Sequence, residues 1–323
     1  MSARFPDTET IRAALRLAIQ APSVHNSQPW SWRVDNRGLH LFADFTRRLR
    51  STDPDLRDLM VSCGAALHHC VVALAALGWH AKVHRFPDPD DPGHLASIDV
   101  LPQTPGEVDI ILAAAIKRRR SDRRHYSSWP VPGGDIALMG ARAARGGVML
   151  RQIDLLPRLN EVVARSVFSN ATGHGRPLGV NPRGVAVRDT SIVDPTATVS
   201  SRSSAGAALM RSADADLSPD NAIVLALGTA EDDALAQLRA GEATSLVLLS
   251  ATAMGLATCP VTEPLEILEI RDAVRADVFG TSGHPQMLLR VGWAATNADP
   301  LPATPRRPLK EVAGWVDDGT CVA

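Results

Sequence analysis

Two stretches of the chain carry apolar residues at helical spacing over about twenty positions. The first runs from Leu56 to Leu77 and is followed by Gly78; the second runs from Ala234 to Met254 and is followed by Gly255. A glycine directly after such a pattern is typical of a helix end. Shorter patterns predict further helices at 11–19, capped by Asp7 or Thr8, at 108–116, around 136–145 and around 155–168.

Shorter apolar or alternating runs predict strands between these helices. They lie at 31–34, 39–43, 81–86, 96–101, 222–227 and 286–291. The loop at 87–93 is too short to hold a crossover helix, so an antiparallel pair is expected there. The pattern therefore predicts an α+β protein in which mixed or antiparallel sheets are flanked by helices. Each long helix precedes an extended segment, which suggests two related halves divided near 103–106.

One stretch, 170–204, fails to follow either period. It is rich in Gly, Pro, Ser, Thr and Asn and holds few regularly spaced apolar residues. A structureless segment of this length is usually a functional lid or is disordered.

Composition narrows the class of protein. The chain has 323 residues, 45% apolar and 21% charged, with a net charge of −1, so no overall field attracts nucleic acid or an anionic membrane. No apolar run reaches the roughly 18 residues that span a bilayer, and the polar start at 1–10 has no signal-peptide core. The four cysteines form no C-x-x-C pair, and consecutive His68, His69 and Cys70 make a poor metal site. A cytoplasmic protein without a metal or membrane partner is expected.

The first candidate motif is Ala21–Trp30, which reads APSVHNSQPW and joins a helix to a strand. Its two prolines stiffen the backbone, while hydroxyl, imidazole and amide groups between them can bind a planar, heteroatom-rich ligand. The alternative is a plain helix end and turn with a core tryptophan, and the spacing alone does not decide between them.

The second motif, Lys117–Arg124, has six basic residues in eight positions. A solvated helix end explains such a run by itself, because cations suit a helix C-terminus. A nucleic-acid patch is a second interpretation. The flanking apolar helix and Ser121 leave a folded anion site open, in which arginines bind a phosphate through paired hydrogen bonds.

Two further segments are weaker alone. Met254–Glu263 has two interpretations: an ordinary helix end leading to a strand, or a turn whose backbone amides face a ligand. Pro305–Leu309, taken alone, is typical of a basic tail. The chain has no G-x-G-x-x-G, G-x-x-x-x-G-K-[ST] or G-x-S-x-G motif, so Rossmann, P-loop and serine-hydrolase sites are not expected.

Taken together in this order, the four segments resemble the nitroreductase superfamily. Ala21–Trp30 is similar to its flavin-facing A-P-S-x-x-N-x-Q-P-W loop, and Arg119–Arg123 resembles its phosphate-binding R-R-S-x-R element. Gly255–Cys259 is similar to its G-L-G-x-C turn, with Ala257 in place of the second glycine. Arg306–Leu309 resembles its C-terminal basic motif.

The resemblance implies a bound flavin mononucleotide (FMN). Arg119, Ser121 and Arg306 would hold the phosphate, with Arg120 and Arg307 as helpers. Arg123 would lie near the pyrimidine end, and backbone amides at Val261, Thr262 and Glu263 would approach the flavin N5 and O4 edge. The implied cofactor-binding residues are Pro22, Ser23, Val24, His25, Asn26, Gln28, Arg119, Arg120, Ser121, Arg123, Pro260, Val261, Thr262, Arg306 and Arg307. Hydride chemistry would belong to the cofactor, so no catalytic side chain is implied.

The order of the motifs resembles the Acg-type branch, in which two nitroreductase-like halves are fused. It implies a first half at 1–104 that supplies the loop, and a second half at 105–323 that supplies the phosphate-binding residues and carries a lid near 170–204. A monomer that mimics a homodimer, with one FMN and a degenerate second pocket, is expected.

Two functions follow from the resemblance. One is an NADPH- or NADH-dependent oxidoreductase that reduces nitro compounds or quinone-like acceptors. The other is a catalytically silent protein that stores or sequesters FMN under a lid. A nucleic-acid-binding role for Lys117–Arg124 is disfavoured by the near-zero net charge.

Overall fold

A computed structural model describes residues 5–36, 38–153, 221–296, 298–317 and 320–322. The helix expected around 155–168 and the lid expected near 170–204 lie outside these residues. The helices are α1 (Thr8–Ala18), α2 (Arg57–Ala76), α3 (Glu107–Arg118), α4 (Gly133–Ala144), α5 (Ala234–Ala253), α6 (Leu268–Val274) and α7 (Leu309–Val312). The strands are β1 (Trp30–Val34), β2 (Leu39–Ala43), β3 (Trp79–Arg85), β4 (His94–Pro102), β5 (Met149–Ile153), β6 (Ile223–Thr229), β7 (Ala257–Val261), β8 (His284–Gly292), β9 (Ala313–Asp317) and β10 (Thr320–Val322).

The first sheet is mixed and has six strands in the order β10-β9-β1-β2-β4-β3. β3 and β4 pair antiparallel, with Val83 opposite Ile98, as the short loop between them predicts. β1 pairs antiparallel with β2 and parallel with β9, where Trp32 lies opposite Ala313. The C-terminal strand β9 therefore lies beside β1, the strand that directly follows the loop Ala21–Trp30.

The second sheet is antiparallel and has the order β5-β6-β8-β7. Its central strands β6 and β8 are buried almost throughout, which explains why their sequences read as continuous apolar runs without alternation. The core between this sheet and α4 and α5 includes Leu227, Met139, Val247 and Leu289. The expected α+β class, with mixed and antiparallel sheets flanked by helices, is confirmed.

The two longest helices, α2 and α5, pack against each other more extensively than any other pair of helices described. Their backbones approach most closely at two glycines: a Cβ on Gly64 would collide with the carbonyl oxygen of Leu238, and one on Gly241 with that of Val61. Glycine inside a helix costs about 1 kcal/mol relative to alanine. Here the close packing of the two helices requires it.

α2 is apolar on every side because it lies inside the protein. Among the described helices it alone is long and apolar enough to cross a bilayer, yet 78% of that stretch is buried within the fold. On its other side, Leu67 and Leu74 join Leu15 of α1 and Trp30 of β1 in the core of the six-stranded sheet. α2 therefore packs in the core and also contacts the neighbouring loop Ala21–Trp30.

Candidate functional site

The loop Ala21–Trp30 has an unusual backbone. His25, Asn26 and Gln28 adopt positive φ angles of 49°, 53° and 48°, a region that non-glycine residues seldom occupy. The Ser23 hydroxyl accepts a 3.0 Å hydrogen bond from the Gln28 amide. The Val24 amide donates to Ser62 Oγ on α2 at 3.2 Å. Such clustered backbone strain is held by its surroundings and is common at ligand-binding sites.

A cleft that is partly open to solvent lies beside this loop. Small-molecule and cofactor sites are typically concave and carry a few polar groups in their lining. The loop, α2, α5, β8 and the segments 121–123 and 260–263 contribute to its lining. The lining residues are Pro22, Ser23, Val24, His25, Val61, Ser62, Ala65, Ser121, Arg123, Thr244, Pro260, Thr262, Glu263 and Met287.

A cluster of three arginines, Arg119, Arg120 and Arg306, lies next to this cleft. Arg119 is only 5% exposed and its Nη1 donates to Oγ of the cleft residue Ser121 at 3.4 Å. Burial lowers the pKa of Arg119 to about 9, with further contributions from Arg306 and Arg120. Burial, and then Arg120, lowers the pKa of Arg306 to about 10. All three guanidinium groups therefore lie close enough to repel one another.

No carboxylate of the described residues forms an ion pair with this arginine cluster. Within that same part of the chain, the Nε atoms of Arg119 and Arg306 are buried and lack hydrogen-bond partners. A buried charge without compensation costs several kcal/mol. The cluster is thus prepared for an anion with several acceptor oxygens, such as a phosphate monoester.

Arg306 joins the cluster to the strained loop. Its Nη1 donates to Asn26 Oδ1 at 3.1 Å, and its Nη2 donates to the carbonyl oxygen of Gln20 at 3.2 Å. Asn26 Nδ2 in turn donates to the carbonyl oxygen of Pro305. The first, second and fourth sequence motifs therefore meet at one place.

Arg307 points away from the cluster. Its backbone amide donates to Gln28 Oε1 at 2.8 Å, and its guanidinium lies 3.6 Å from Asp44 and 3.8 Å from Glu311. Gln28 and Arg307 thus fix the loop to the C-terminal segment and do not line the cleft.

Arg120 donates to the carbonyl oxygens of Lys117, Arg119 and Leu301.

The third motif lines the cleft with its end at 260–263. Gly255 has a φ of 87° after the end of α5, which lets the chain turn back into β7. The Asp122 amide donates to the carbonyl oxygen of Thr258 at 2.8 Å, so the basic segment runs alongside β7. Pro260 and Thr262 face the cleft, whereas the Val261 side chain lies in the core, leaving only its backbone for a ligand.

The sequence did not single out the residues that α2, α5 and β8 contribute: Val61, Ser62, Ala65, Thr244 and Met287. One signal was available, because Ser62 interrupts the apolar pattern of a helix that is buried on all sides. Its hydroxyl donates to the carbonyl oxygen of Asp58 at 2.6 Å and accepts from the loop. A polar residue in such a position marks a contact with another backbone segment.

Acidic residues lie beneath the His25 end of the cleft. His25 Nε2 is 4.0 Å from Glu266 Oε1, and the Glu266 side chain is 4% exposed. Burial, followed by the charges of Asp58 and Glu263, raises the pKa of Glu266 to about 8. A carboxyl group that favours its protonated form at neutral pH therefore lies next to His25.

The fold and this site define a member of the nitroreductase family, and comparison with known proteins shows that the chain belongs to it. The model of the "Nitroreductase family" matches residues 184–293. The chain is 58% identical to "Putative NAD(P)H nitroreductase Rv3131" of Mycobacterium tuberculosis, over 98% of this chain and 95% of that protein. It is 37% identical to "Putative NAD(P)H nitroreductase acg" of the same species, over 94% and 95% respectively. The resemblance seen in the four motifs is therefore confirmed.

Among solved structures, the chain is similar to the FMN and NADPH-dependent nitroreductase NfnB from Sphigopyxis sp. strain HMH. The sequences are 21% identical, and the match has a TM-score of 0.43 over 64% of this chain and 99% of that chain. The family assignment rests on the two mycobacterial relatives, which align along almost their whole length.

Proposed function

We propose that the chain binds one FMN in the cleft and transfers electrons from NADPH or NADH to a small acceptor, a nitro compound or a quinone. The observation that carries this proposal is the buried pair Arg119 and Arg306, which lacks a carboxylate counter-ion in the described residues. A phosphate monoester is dianionic and offers three acceptor oxygens, so it suits two adjacent guanidinium groups.

The phosphate would be held by Arg119, Ser121 and Arg306, with Arg120 adding positive charge. Ser121 supports this arrangement because it both lines the cleft and accepts a hydrogen bond from Arg119. A flat ring system extending from there would lie against the loop on one side and against segment 260–263 on the other. The residues facing the ring would be Pro22, Ser23, Val24, Asn26, Arg123, Pro260 and Thr262, together with the backbone amides of Val261, Thr262 and Glu263.

FMN, when bound, would accept a hydride from the nicotinamide and pass it to the acceptor. The protein would supply the position and the electrostatic setting. Arg123 is exposed at the cleft and adds positive charge near the ring, which favours a reduced, more negative cofactor. His25 is 40% exposed and marks the side from which a second molecule can approach.

The cofactor part of the proposal is tested by titrating FMN into the purified, flavin-free protein and following flavin fluorescence. One FMN per chain is expected, and absence of saturable binding would overturn the proposal. Mass measurement in solution tests the accompanying expectation that the chain is a monomer with two fused halves. The packing of the equal-length helices α2 and α5 at Gly64 and Gly241 supports that arrangement.

The electron-transfer part is tested by adding NADPH or NADH to the FMN-loaded protein without oxygen. Bleaching of the flavin, followed by its recovery on adding a quinone, is expected. A protein that binds FMN tightly but is bleached by neither nicotinamide would support the storage function instead. The segment at 170–204 that motivates the storage function lies outside the described residues.

We also propose that the chain acts in the cytoplasm and binds neither nucleic acid nor membrane. The inward position of Arg119 and the ion pair between Arg124 and Asp122, at 2.8 Å, argue against binding of nucleic acid. Both remove positive charge from the surface that a polyanion would contact. Binding of DNA that weakens steeply with salt would contradict the proposal.

A further inference from the structure

Glu266 is a buried carboxyl group whose position the proposed cofactor site leaves unexplained. It ends the short 3-10 helix Glu263–Glu266, directly after the wall of the cleft. Within the described part of the chain its Oε1 is buried and has no hydrogen-bond partner. Burial and the carboxylates of Asp58 and Glu263 raise its pKa to about 8, against the opposing effects of a Thr262 hydrogen bond and the Arg57 charge.

His25 lies between this carboxyl group and the cleft. Its Nε2 is 4.0 Å from Glu266 Oε1, and its ring is 40% exposed and lines the cleft. The distance is too long for a hydrogen bond, so proton transfer between the two groups requires the half-exposed ring to turn toward Glu266. The positive φ of His25 fixes its backbone in the strained loop, so the imidazole is held at this place.

We propose that His25 and Glu266 form a proton-donating pair for an electron acceptor that takes up a proton with its electrons, a quinone. His25 is the catalytic residue that touches the acceptor, and Glu266 is a positioning and proton-supplying residue behind it. This inference rests on the proposed function, because the bound cofactor provides the hydride.

The step balances without a further reagent. A quinone that gains a hydride becomes the anion of its hydroquinone, and one proton on its oxygen completes the product. His25 Nδ1 gives its proton to that oxygen while Nε2 takes the proton of Glu266. A proton from solvent then returns Glu266 to its neutral form. Exchange with water moves the imidazole proton from Nε2 back to Nδ1. General acids placed in this way accelerate reactions by about 10²- to 10⁴-fold.

The experiment separates acceptors that need a proton from acceptors that do not. FMN-loaded protein is reduced without oxygen and mixed with either p-benzoquinone or ferricyanide, which takes electrons only. In His25→Gln and Glu266→Gln, the rate of reoxidation by the quinone, divided by the rate with ferricyanide, should fall by about 10-fold or more. In Glu266→Gln, whose substituted side chain does not line the cleft, the ferricyanide rate itself should stay unchanged. The exposed residues His80 and Glu269 provide the matched controls His80→Gln and Glu269→Gln, in which both rates should stay unchanged.

A pH profile gives a second readout. The quinone reaction of the wild type should slow as pH rises through about 8, because Glu266 then loses its proton, and Glu266→Gln should lack this dependence. FMN affinity, measured by fluorescence, should stay the same in Glu266→Gln, since Glu266 does not line the cleft.

Equal slowing with both acceptors, or no slowing with the quinone, would overturn the proton-donating pair. Failure of the proposed function is recognised separately, as an absence of FMN binding or of bleaching by nicotinamide. If nicotinamide does not bleach the bound FMN, dithionite can reduce it instead. The comparison of the quinone and ferricyanide rates then still tests the pair His25 and Glu266.

Discussion

Arg306 Nη1 donates a 3.1 Å hydrogen bond to Asn26 Oδ1 across 280 positions of sequence. Asn26 has a left-handed backbone with a φ of 53°, and Arg306 lies in the arginine cluster beside Arg119. The bond therefore couples the shape of the loop to the position of the cationic group.

The coupling between these two residues is measurable. Asn26→Ala should weaken FMN binding because Arg306 loses the acceptor that orients it. In a double-mutant cycle with Arg306→Met, the two effects should be non-additive by about 0.5–3 kcal/mol, as is usual for residues in one network. The measurement is the dissociation constant of FMN. Additive effects would show that the bond does not orient Arg306 for the phosphate.

Arg119→Met should weaken FMN binding by about 10- to 100-fold, the loss of a charge-assisted hydrogen bond of about 1.5–3 kcal/mol. The flavin-free variant should nevertheless be at least as stable as the wild type at pH 7. Folding lowers the pKa of Arg119 from its ordinary value to about 9, so the charged guanidinium is less stable in the folded than in the unfolded protein. This lowers the free energy of unfolding of the wild type at pH 7, and the loss is relieved only as pH rises through 9.

Thermal unfolding of the flavin-free protein and FMN titration together check this prediction. Arg118→Met is the matched control, because Arg118 is the preceding residue and is exposed. A variant that is destabilised without flavin would mean that Arg119 is a structural residue and not a prepared anion site.

Glu266→Gln should change the dependence of stability on pH. The folded pKa of Glu266 is about 8 and the ordinary value is 4.5, so its stabilising contribution is complete below about 4.5 and is lost as pH rises through 8. Glutamine stays neutral. The variant should therefore gain on the wild type between pH 5 and 8.5, by an amount on the order of a few kcal/mol.

Urea unfolding of the flavin-free proteins at the two pH values measures this gain. The pKa of Asp53 is also raised, to about 6, by burial and by Asp58, but its effect is present in both proteins and cancels. Glu269→Gln, at an exposed position of α6, should parallel the wild type. If the free energy of unfolding changed with pH equally in the wild type and in Glu266→Gln, Glu266 would be ionised in the folded protein.

Gly64→Ala should destabilise the protein by about 1–3 kcal/mol or more, as overpacked cores do. The added methyl group meets the carbonyl oxygen of Leu238 and must push α2 away from α5. Gly134→Ala is the matched control: it is also a helical glycine, but a Cβ there meets nothing within 4 Å, so the stability should stay equal or rise. Chemical unfolding measures both, and a neutral Gly64→Ala would contradict the close packing of α2 and α5.

The sequence by itself determined most of the regular elements. The period of apolar residues placed α2 and α5 to within a residue or two, and the short loop at 87–93 determined the antiparallel pairing of β3 and β4. These features follow from local constraints: helical spacing, glycine at a helix end and the reach of a loop. The same local patterns did not predict β5, α6 or the parallel pairing of β1 with β9, which depend on partners distant in sequence.

The motifs were visible in the sequence, yet each had a plain local explanation when taken alone. Only tertiary structure brought Asn26, Arg119 and Arg306 to one place and directed Arg307 to Asp44 and Glu311 instead. Only tertiary structure added the contributions of α2 and α5 and buried Glu266 behind His25. The physical reason is that charge, burial and hydrogen bonding depend on which groups share a space, whereas a sequence pattern reports chiefly which face of its own element is apolar.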